Sequence, residues 1–352
     1  MHQTELEECN TLYNAVFTVI DFHYVMIVRC NLFIGPDNNK SYIKFFFLNK
    51  ISSFSVMESK EYLDWNGNWL PRHGCIGAED ARIFEFKSKL YMYYTMSNPK
   101  ARMPLRGIEY LPLKDAILGN RRGKYLEARI FDRNQEVVEK NWIFFSNETN
   151  LLALYSIKPF ILGEIVENTL VARVQRDYIC VNDFKLAHLS SNAIMINNYG
   201  RKEYMFIFNE KREGEKFKYH AHIGFMEIRS PHRLLRISKE EVHININATK
   251  YTYISSLTVK GKPSLQAGKH DTIIVSGGLD DTLPFYFEFS VDYFLNQPTV
   301  QCQAENNELE FFLDSLSNQC ETDNTWTIIA QGFLTILIAK WLFQFFNKRY
   351  QF

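Results

Sequence analysis

The chain has 352 residues, 40 basic and 40 acidic side chains, and a formal net charge of zero. That balance excludes a general nucleic-acid or acidic-surface binder, which needs a surplus of Lys and Arg to displace counterions. With 46% hydrophobic and 23% charged residues the chain is built to fold, and an aromatic share of 15% (29 Phe, 19 Tyr, 5 Trp) leans toward half-buried pleated sheet.

Paired β-like runs recur along the chain. The first covers residues 15–33. The second is 82–86, a polar turn at Lys87-Ser88-Lys89, then 90–94. A third joins 142–145 to 151–155 across Asn147-Glu148-Thr149-Asn150. The fourth joins 193–196 to 204–208, and the fifth joins 272–275 to 285–289 across Gly277-Gly278-Leu279-Asp280-Asp281. Each reads as strand, polar turn, strand. Their centres repeat about every 50 to 70 residues, in the manner of propeller blades. Runs at 221–228 and 251–259 supply further strands, and almost nothing before residue 300 reads as a long amphipathic helix. A sandwich would place turn signals about every 8 to 12 residues. The expected fold is therefore all-β: a five-bladed β-propeller over residues 1–300, with functional residues converging on a central channel from several blades.

Residues 301–325 read as a linker, and 326–347 as a C-terminal hydrophobic helix. The stretch TIIAQGFLTILIAKWLFQFF is about long enough to cross a hydrocarbon core. Trp326 and Trp341 suit the interface, Lys340 can snorkel, and Lys348-Arg349 follow at once. A single-pass membrane attachment is expected. Its facing side is open: the trailing positive charge favours a luminal body, whereas the first thirty residues hold no basic segment, apolar core and cleavage site. The six cysteines (Cys9, Cys30, Cys75, Cys180, Cys302, Cys320) contain no CxxC pair, so no structural zinc is expected. Cys302 and Cys320 are close enough for a local disulfide, the alternative being six idle thiols. Two glycosylation sequons occur, at Asn147 and Asn247, and matter only if the chain enters the secretory pathway.

Two clusters can carry chemistry. Gly77-Ala78-Glu79-Asp80-Ala81-Arg82 sets two carboxylates and a guanidinium at a strand entry. The neighbouring acid disfavours ionisation and the Arg favours it, and the alternative is a loop salt bridge. Glu139-Lys140-Asn141-Trp142, with Tyr155-Ser156-Ile157-Lys158-Pro159 closing its hairpin, offers a cation, an amide donor and a stacking ring, suited to sugar or phosphate. Its alternative is a solvated turn. Tyr219, His220 and His222 lack partners at metal-ligand spacing, and Asp280 or Asp281 can face a channel. Walker A, GxGxxG, GxSxG and HExxH motifs are absent, which removes support for P-loop nucleotide enzymes, dinucleotide dehydrogenases, serine hydrolases and zincins.

The run GAEDARIFEFKSKLYMYYTM resembles the G-x-E-D-P-R signature of the β-mannoside phosphorylases and β-1,2-mannosyltransferases. EKNWIFFSNETNLLALYSIKPFIL is similar to that clan's second signature, E-K-N-W-x-P-F followed by a Y-S-x-x-P strand end. Fainter echoes are NAVFTVIDFHYVMIVRCN, YHAHIGFMEIRSPHRLLRIS and IIVSGGLDD, in the family's order across residues 14–295. The resemblance implies a five-bladed β-propeller and an inverting reaction in which one carboxylic acid protonates the glycosidic oxygen through a mannose hydroxyl, while Arg and Lys hold phosphate. It implies Asp80 as the acid, Glu79 and Arg82 as its orienting partners, Arg29 as a sugar contact, and Lys140 and Asn141 on the phosphate side. Tyr155 and Asp280 complete the expected substrate-binding set, with no cofactor and no metal.

The chain departs from the family pattern at Ala81 (Pro in the family), Ile143, Leu189-Ser190-Ser191-Asn192 (a G-S-P segment) and Asn209 (His). The expected partners are a mannose-containing oligosaccharide and a phosphate or sugar-phosphate donor, with a membrane and without nucleic acid. Competing readings are an inverting hydrolase, with Glu109, Glu139 or Asp280 as the second carboxylate, and a non-catalytic carbohydrate-binding propeller. Convergence of two or more of Arg29, Arg82, Lys140, Arg102 and Arg106 on Asp80 would favour phosphate chemistry.

Overall fold

A computed structural model describes residues 11–304 apart from 22, 34–38, 49–55, 63–75, 98–105, 119–122, 132–140, 148, 177, 182–183, 185, 199, 213–218, 230–231, 243–251 and 280–282. The alternating apolar and polar residues become antiparallel meanders taken in chain order. β1 (Thr11–Ile20), β2 (His23–Phe33), β3 (Asn39–Leu48) and β4 (Val56–Tyr62) form the first, with β5 (Ile76–Gly77) added in parallel to β3. β6 (Glu79–Phe86), β7 (Lys89–Ser97), β8 (Arg106–Pro112) and β9 (Lys124–Phe131) form the second. The third comprises β10 (Ile143–Ser146), β11 (Leu151–Ile157), β12 (Phe160–Val166) and β13 (Thr169–Arg176).

The fourth unit holds β14 (Leu186–Leu189), β15 (Ile194–Asn198), β16 (Arg201–Lys211), β17 (His220–Glu227) and β18 (Leu234–Ser238). The last comprises β19 (Thr252–Val259), β21 (Thr272–Leu279) and β22 (Leu283–Ser290). Between β19 and β21, β20 (Gln266–Gly268) crosses to pair with β15, and β23 (Thr299–Gln301) pairs with β18. Helix is confined, among the described residues, to α1 (Leu113–Leu118), α2 (Val291–Leu295) and a 3-10 turn at Ile179–Val181.

The second and third units share one eight-stranded sheet, because β9 and β13 pair in parallel at their outer edges. The two ends of that sheet, β6 and β10, come back together. Ser146 Oγ donates to Glu85 O at 3.1 Å, and Phe84 stacks on Phe144 with ring centroids 5.0 Å apart. The sheet is thus nearly closed on itself and the arrangement is propeller-like.

Apolar cores lie between neighbouring units. Phe84, Tyr93, Trp142 and Phe144 fill the space between the second and third. Phe145, Leu154, Phe206 and Phe208 lie between the third and fourth. Phe17, Val28, Phe46 and Ile274 join the last unit to the first. A wider cluster, including Val16, Ile83, Ile207 and Leu257, links the inner strands. Burial on both faces explains why these strands are dense in Phe, Ile and Val rather than cleanly alternating.

Polar closures supplement the cores. Ser255 Oγ and Ser276 Oγ donate to Ala15 O at 2.9 and 2.7 Å, and Thr258 donates to Phe17 O, fastening the last unit to the first. Asn192, fully buried, donates to Leu257 O and accepts from Leu257 N, both at 2.9 Å, fastening the fourth to the last.

The fifth hairpin of the sequence reading is β21 and β22, paired antiparallel, and the run at 251–259 holds β19, which pairs with β21. A correction concerns Cys302, which is bonded to Cys180 across 122 residues rather than to Cys320. Backbone pairing is the reason: Ile179 N donates to Gln303 O at 2.9 Å and Tyr178 bridges Ala304, so the two cysteines are held side by side. No helix among the described residues is long and apolar enough to cross a membrane; residues 326–347 lie outside them.

Candidate active site

The chemistry-bearing residues gather where the inner strands begin, and the backbone there is irregular in a repeated way. β1 carries one extra residue between Tyr13 and Val16 relative to β2. β6 carries one between Glu79 and Arg82 relative to β7, and β19 one between Ile254 and Ser256 relative to β21. Such bulges re-aim side chains that a regular strand would send to alternate faces. Asn14, Asp80 and Asn141 all take left-handed backbone, with φ of 55°, 52° and 63°. Asn and Asp tolerate this region best among residues with a side chain. Close approach is also needed in the last unit, where any Cβ at Gly277 would collide with the Tyr253 carbonyl.

The bulge lets both adjacent acids reach one guanidinium. Arg29 Nη1 lies 3.1 Å from Asp80 Oδ1 and 3.3 Å from Glu79 Oε2. Its Nε is held by Ser41 Oγ at 3.0 Å and Asn31 Oδ1 at 3.2 Å, and Ser41 in turn donates to Ala78 O at 2.9 Å. Asn14 Nδ2 donates to the same Asp80 oxygen at 2.7 Å. Glu79 is almost fully buried, whereas a fifth of the Asp80 side chain remains exposed, so Asp80 is the acid open to a substrate.

On the other side Arg82, 1% exposed, directs Nη2 to Asn141 Oδ1 and to the Tyr253 hydroxyl, both at 2.8 Å. Tyr93 also pairs with it and donates to Trp142 O at 2.8 Å. A polar chain continues outward. The Tyr253 hydroxyl pairs with Ser190, and Asn209 Nδ2 donates to Ser190 Oγ at 2.7 Å. Residues from four of the five units therefore connect to Arg82.

Burial pushes the Asp80 carboxyl up, but Arg29, Arg82 and the Asn14 amide outweigh it and hold the carboxyl below the usual range, so it rests ionised. Burial drives Tyr93 up to about 12 against the pull of Arg82, and raises Tyr253, so both phenols stay neutral. Arg82 remains charged: Tyr253, Tyr93 and Asp80 offset its burial. Beside this centre Tyr219 meets Tyr253 edge to face at 5.4 Å, and Lys211 lies over the Tyr219 ring at 5.2 Å. His220 Nδ1 pairs with Glu241 at 2.8 Å, while His222 is buried between Phe184 and Phe208 and burial lowers its pKa.

Of the residues expected from sequence, the structure brings together Asp80, Glu79, Arg29, Arg82 and Asn141. Tyr155 is half-buried beside Trp142, 5.5 Å between ring centroids, at the same end of the third unit as Asn141. Lys140, Asp280, Glu139 and Arg102 lie outside the described residues. Glu109 sits on β8 and accepts from the Tyr94 hydroxyl at 2.8 Å. Asn209 and Leu189–Asn192, the departures from the family pattern, are buried, and of these Ser190 and Asn192 bond to Ile254 and Leu257 of the last unit. Sequence reasoning missed Asn14, Tyr253 and Ser190. Asn14 opened a quoted motif without a role, and Tyr253 lay in a run read only as strand.

No protein-family model matches the sequence, and no curated protein matches it in a sequence search. Solved structures do match in fold. A protein assigned as a glycosidase from Bacteroides thetaiotaomicron aligns with a TM-score of 0.56 at 12% identity, over 80% of this chain and 88% of its own. A glycosyl hydrolase from Bacteroides ovatus aligns at 0.51 and 12% identity, over 84% and 87%. A third structure, described within work on the GH130 family of mannoside phosphorylases containing hydrolases that target β-1,2-mannosidic linkages in Candida mannan, aligns at 0.51 and 14% identity, over 80% and 85%. At these identities the shared property is the fold.

Proposed function

We propose that the chain is a carbohydrate-active enzyme that builds β-mannosides, transferring mannose with inversion from a phosphate-activated donor to a mannose-containing acceptor. The units described above are read as the blades of a five-bladed propeller over residues 1–300, with 301–325 a linker and 326–347 a membrane attachment. The observation that carries the reading is an ionised, partly exposed Asp80 held between Arg82 of its own strand and Arg29, brought from 51 residues away. The motifs that resemble the β-mannoside phosphorylase clan fall on this cluster, and the fold likeness supports it.

The protonation state suits one direction. A carboxylate acts as a base, so Asp80 accepts a proton relayed through a mannose hydroxyl from the acceptor hydroxyl. The acceptor oxygen forms the new bond to C1 from the face opposite the leaving group. The C1–O bond to phosphate breaks, and phosphate departs with the electron pair. Arg29 and Glu79 fix Asp80. Arg82 and Asn141, with Lys140 and Asp280 proposed beside them, face the phosphate and sugar oxygens, and Tyr155 with Trp142 offers an apolar flank. Among the described residues the two guanidiniums are set against two carboxylates, so a further cation such as Lys140 is proposed to share the phosphate with Arg82.

The test incubates the full chain with mannose 1-phosphate and a β-mannoside acceptor and measures released phosphate and product. Asp80→Asn is expected to lower turnover by about 10²- to 10⁴-fold with folding intact. Equal rates for the two proteins overturn the assignment. Free mannose as the sole product replaces transfer with hydrolysis.

A further inference from the structure

The hairpin between β10 and β11 carries the sequon Asn147-Glu148-Thr149, at the end of β10 remote from Asn141. At about 3.3 Å per residue, Asn147 stands roughly 20 Å along the strand from that site residue. Its side chain is set in a tight turn. Asn147 Oδ1 accepts from Asn150 N at 2.7 Å, Thr149 N at 3.1 Å and Thr149 Oγ1 at 3.2 Å. The oxygen is thereby saturated, and Nδ2 makes no hydrogen bond among the described residues. Thr149 is exposed. Asn147 borders a cleft of about 820 Å³, with Lys87, Arg201, Lys202 and Tyr204 among its other walls, so the carboxamide meets open volume rather than packed neighbours.

A second, independent observation concerns the compartment. Cys180 and Cys302 form a disulfide that ties the segment after β13 to the end of the body. Such long-range structural bonds persist in oxidising compartments and are rare where thiols are kept reduced. A sequon is only chemistry in waiting unless the chain meets the glycosylation machinery. The disulfide assigns it to the same place.

We propose that Asn147 is an N-glycan acceptor and that the body of the protein folds in the oxidising secretory lumen. In the transfer, Asn147 Nδ2 attacks C1 of a lipid diphosphate-linked oligosaccharide. The Nδ2–C1 bond forms, the C1–O bond to the diphosphate breaks, the lipid diphosphate leaves with the electron pair, and the amide loses one proton. The glycan stands at the opposite end of the inner strands from Asp80, so it shields that rim without covering the substrate site. With residues 326–347 proposed as a membrane attachment, this reading puts Lys348 and Arg349 on the cytoplasmic side.

The experiment produces the full chain in a glycosylating eukaryotic cell and maps its peptides by mass spectrometry, with and without an amidase that releases N-glycans and converts the acceptor Asn to Asp. The expected result is conversion at Asn147 together with a linked Cys180–Cys302 peptide under non-reducing conditions. Thr149→Ala abolishes the modification, Thr149→Ser keeps it, and Asn147→Gln abolishes it while leaving turnover at the wild-type level. An unmodified Asn147 in chains whose Cys180 and Cys302 are linked overturns the acceptor assignment. Alkylatable thiols at Cys180 and Cys302 overturn the compartment.

Discussion

Asp80 stands between two buried guanidiniums that are held in opposite ways. Arg29 is surrounded by carboxylates and short polar groups: Asp80, Glu79, Asn31 and Ser41. Arg82 is surrounded chiefly by neutral groups, Asn141, Tyr253 and Tyr93, and feels the Asp80 charge at longer range. The contrast separates two tasks. Arg29 is a fastener whose charge is cancelled on the spot. Arg82 keeps a charge that dipoles only partly satisfy, and the second task proposed for it is to answer an entering anionic group.

Removing the fastener is expected to have the largest effect on stability. Arg29→Ala removes the guanidinium that both Glu79 and Asp80 contact, which costs about 3–5 kcal/mol. Thermal or urea unfolding reads it, and a loss below about 1 kcal/mol would break the distinction between the two sides. Next comes Tyr253→Phe, which deletes a hydrogen bond to a charged, buried donor. A loss of about 1.5–3 kcal/mol is expected, with a raised KM for the phosphate-bearing donor if Arg82 has the second task. An unchanged KM together with unchanged stability would assign Tyr253 no part in holding Arg82.

The smallest effect is in pH. The folded-state pKa of Asp80 lies below its ordinary 3.8, so its stabilising contribution is complete above that value and is lost as pH falls through the folded value. The difference in unfolding free energy between wild type and Asp80→Asn should therefore shrink on acidification below about pH 4. A difference that grows instead would mean that the neutral acid is the favoured form.

The fold was legible because its units are hairpins. Alternation and turn residues at Lys87-Ser88-Lys89 and Asn147–Asn150 are local signals, and the paired strands appear where those signals stand. In the last unit β19 was read only as a further strand, because no short turn joins it to β21: β20 leaves to pair with β15 between them. Asp80, Arg82, Glu79, Arg29 and Asn141 were found through motifs, since neighbours in sequence mark them. Asn14 and Tyr253 were not, because their roles exist only once bulges in separate units turn them to a common point. The Cys180–Cys302 bond was hidden for the same reason: its partners are joined by the Tyr178–Ala304 bridge, a long-range contact that sequence proximity argues against.

The serine closures have a consequence for how the molecule is born. Ser255, Thr258 and Ser276 reach Ala15 and Phe17 across 240, 241 and 261 residues. β1 is among the first strands to leave the ribosome, and its partners are among the last. Until they arrive, a strand rich in Val and Phe waits with one flank uncovered, and contacts of such long separation form slowly. During synthesis that flank is an open invitation to chaperones, and the ring becomes a ring only when translation is nearly over.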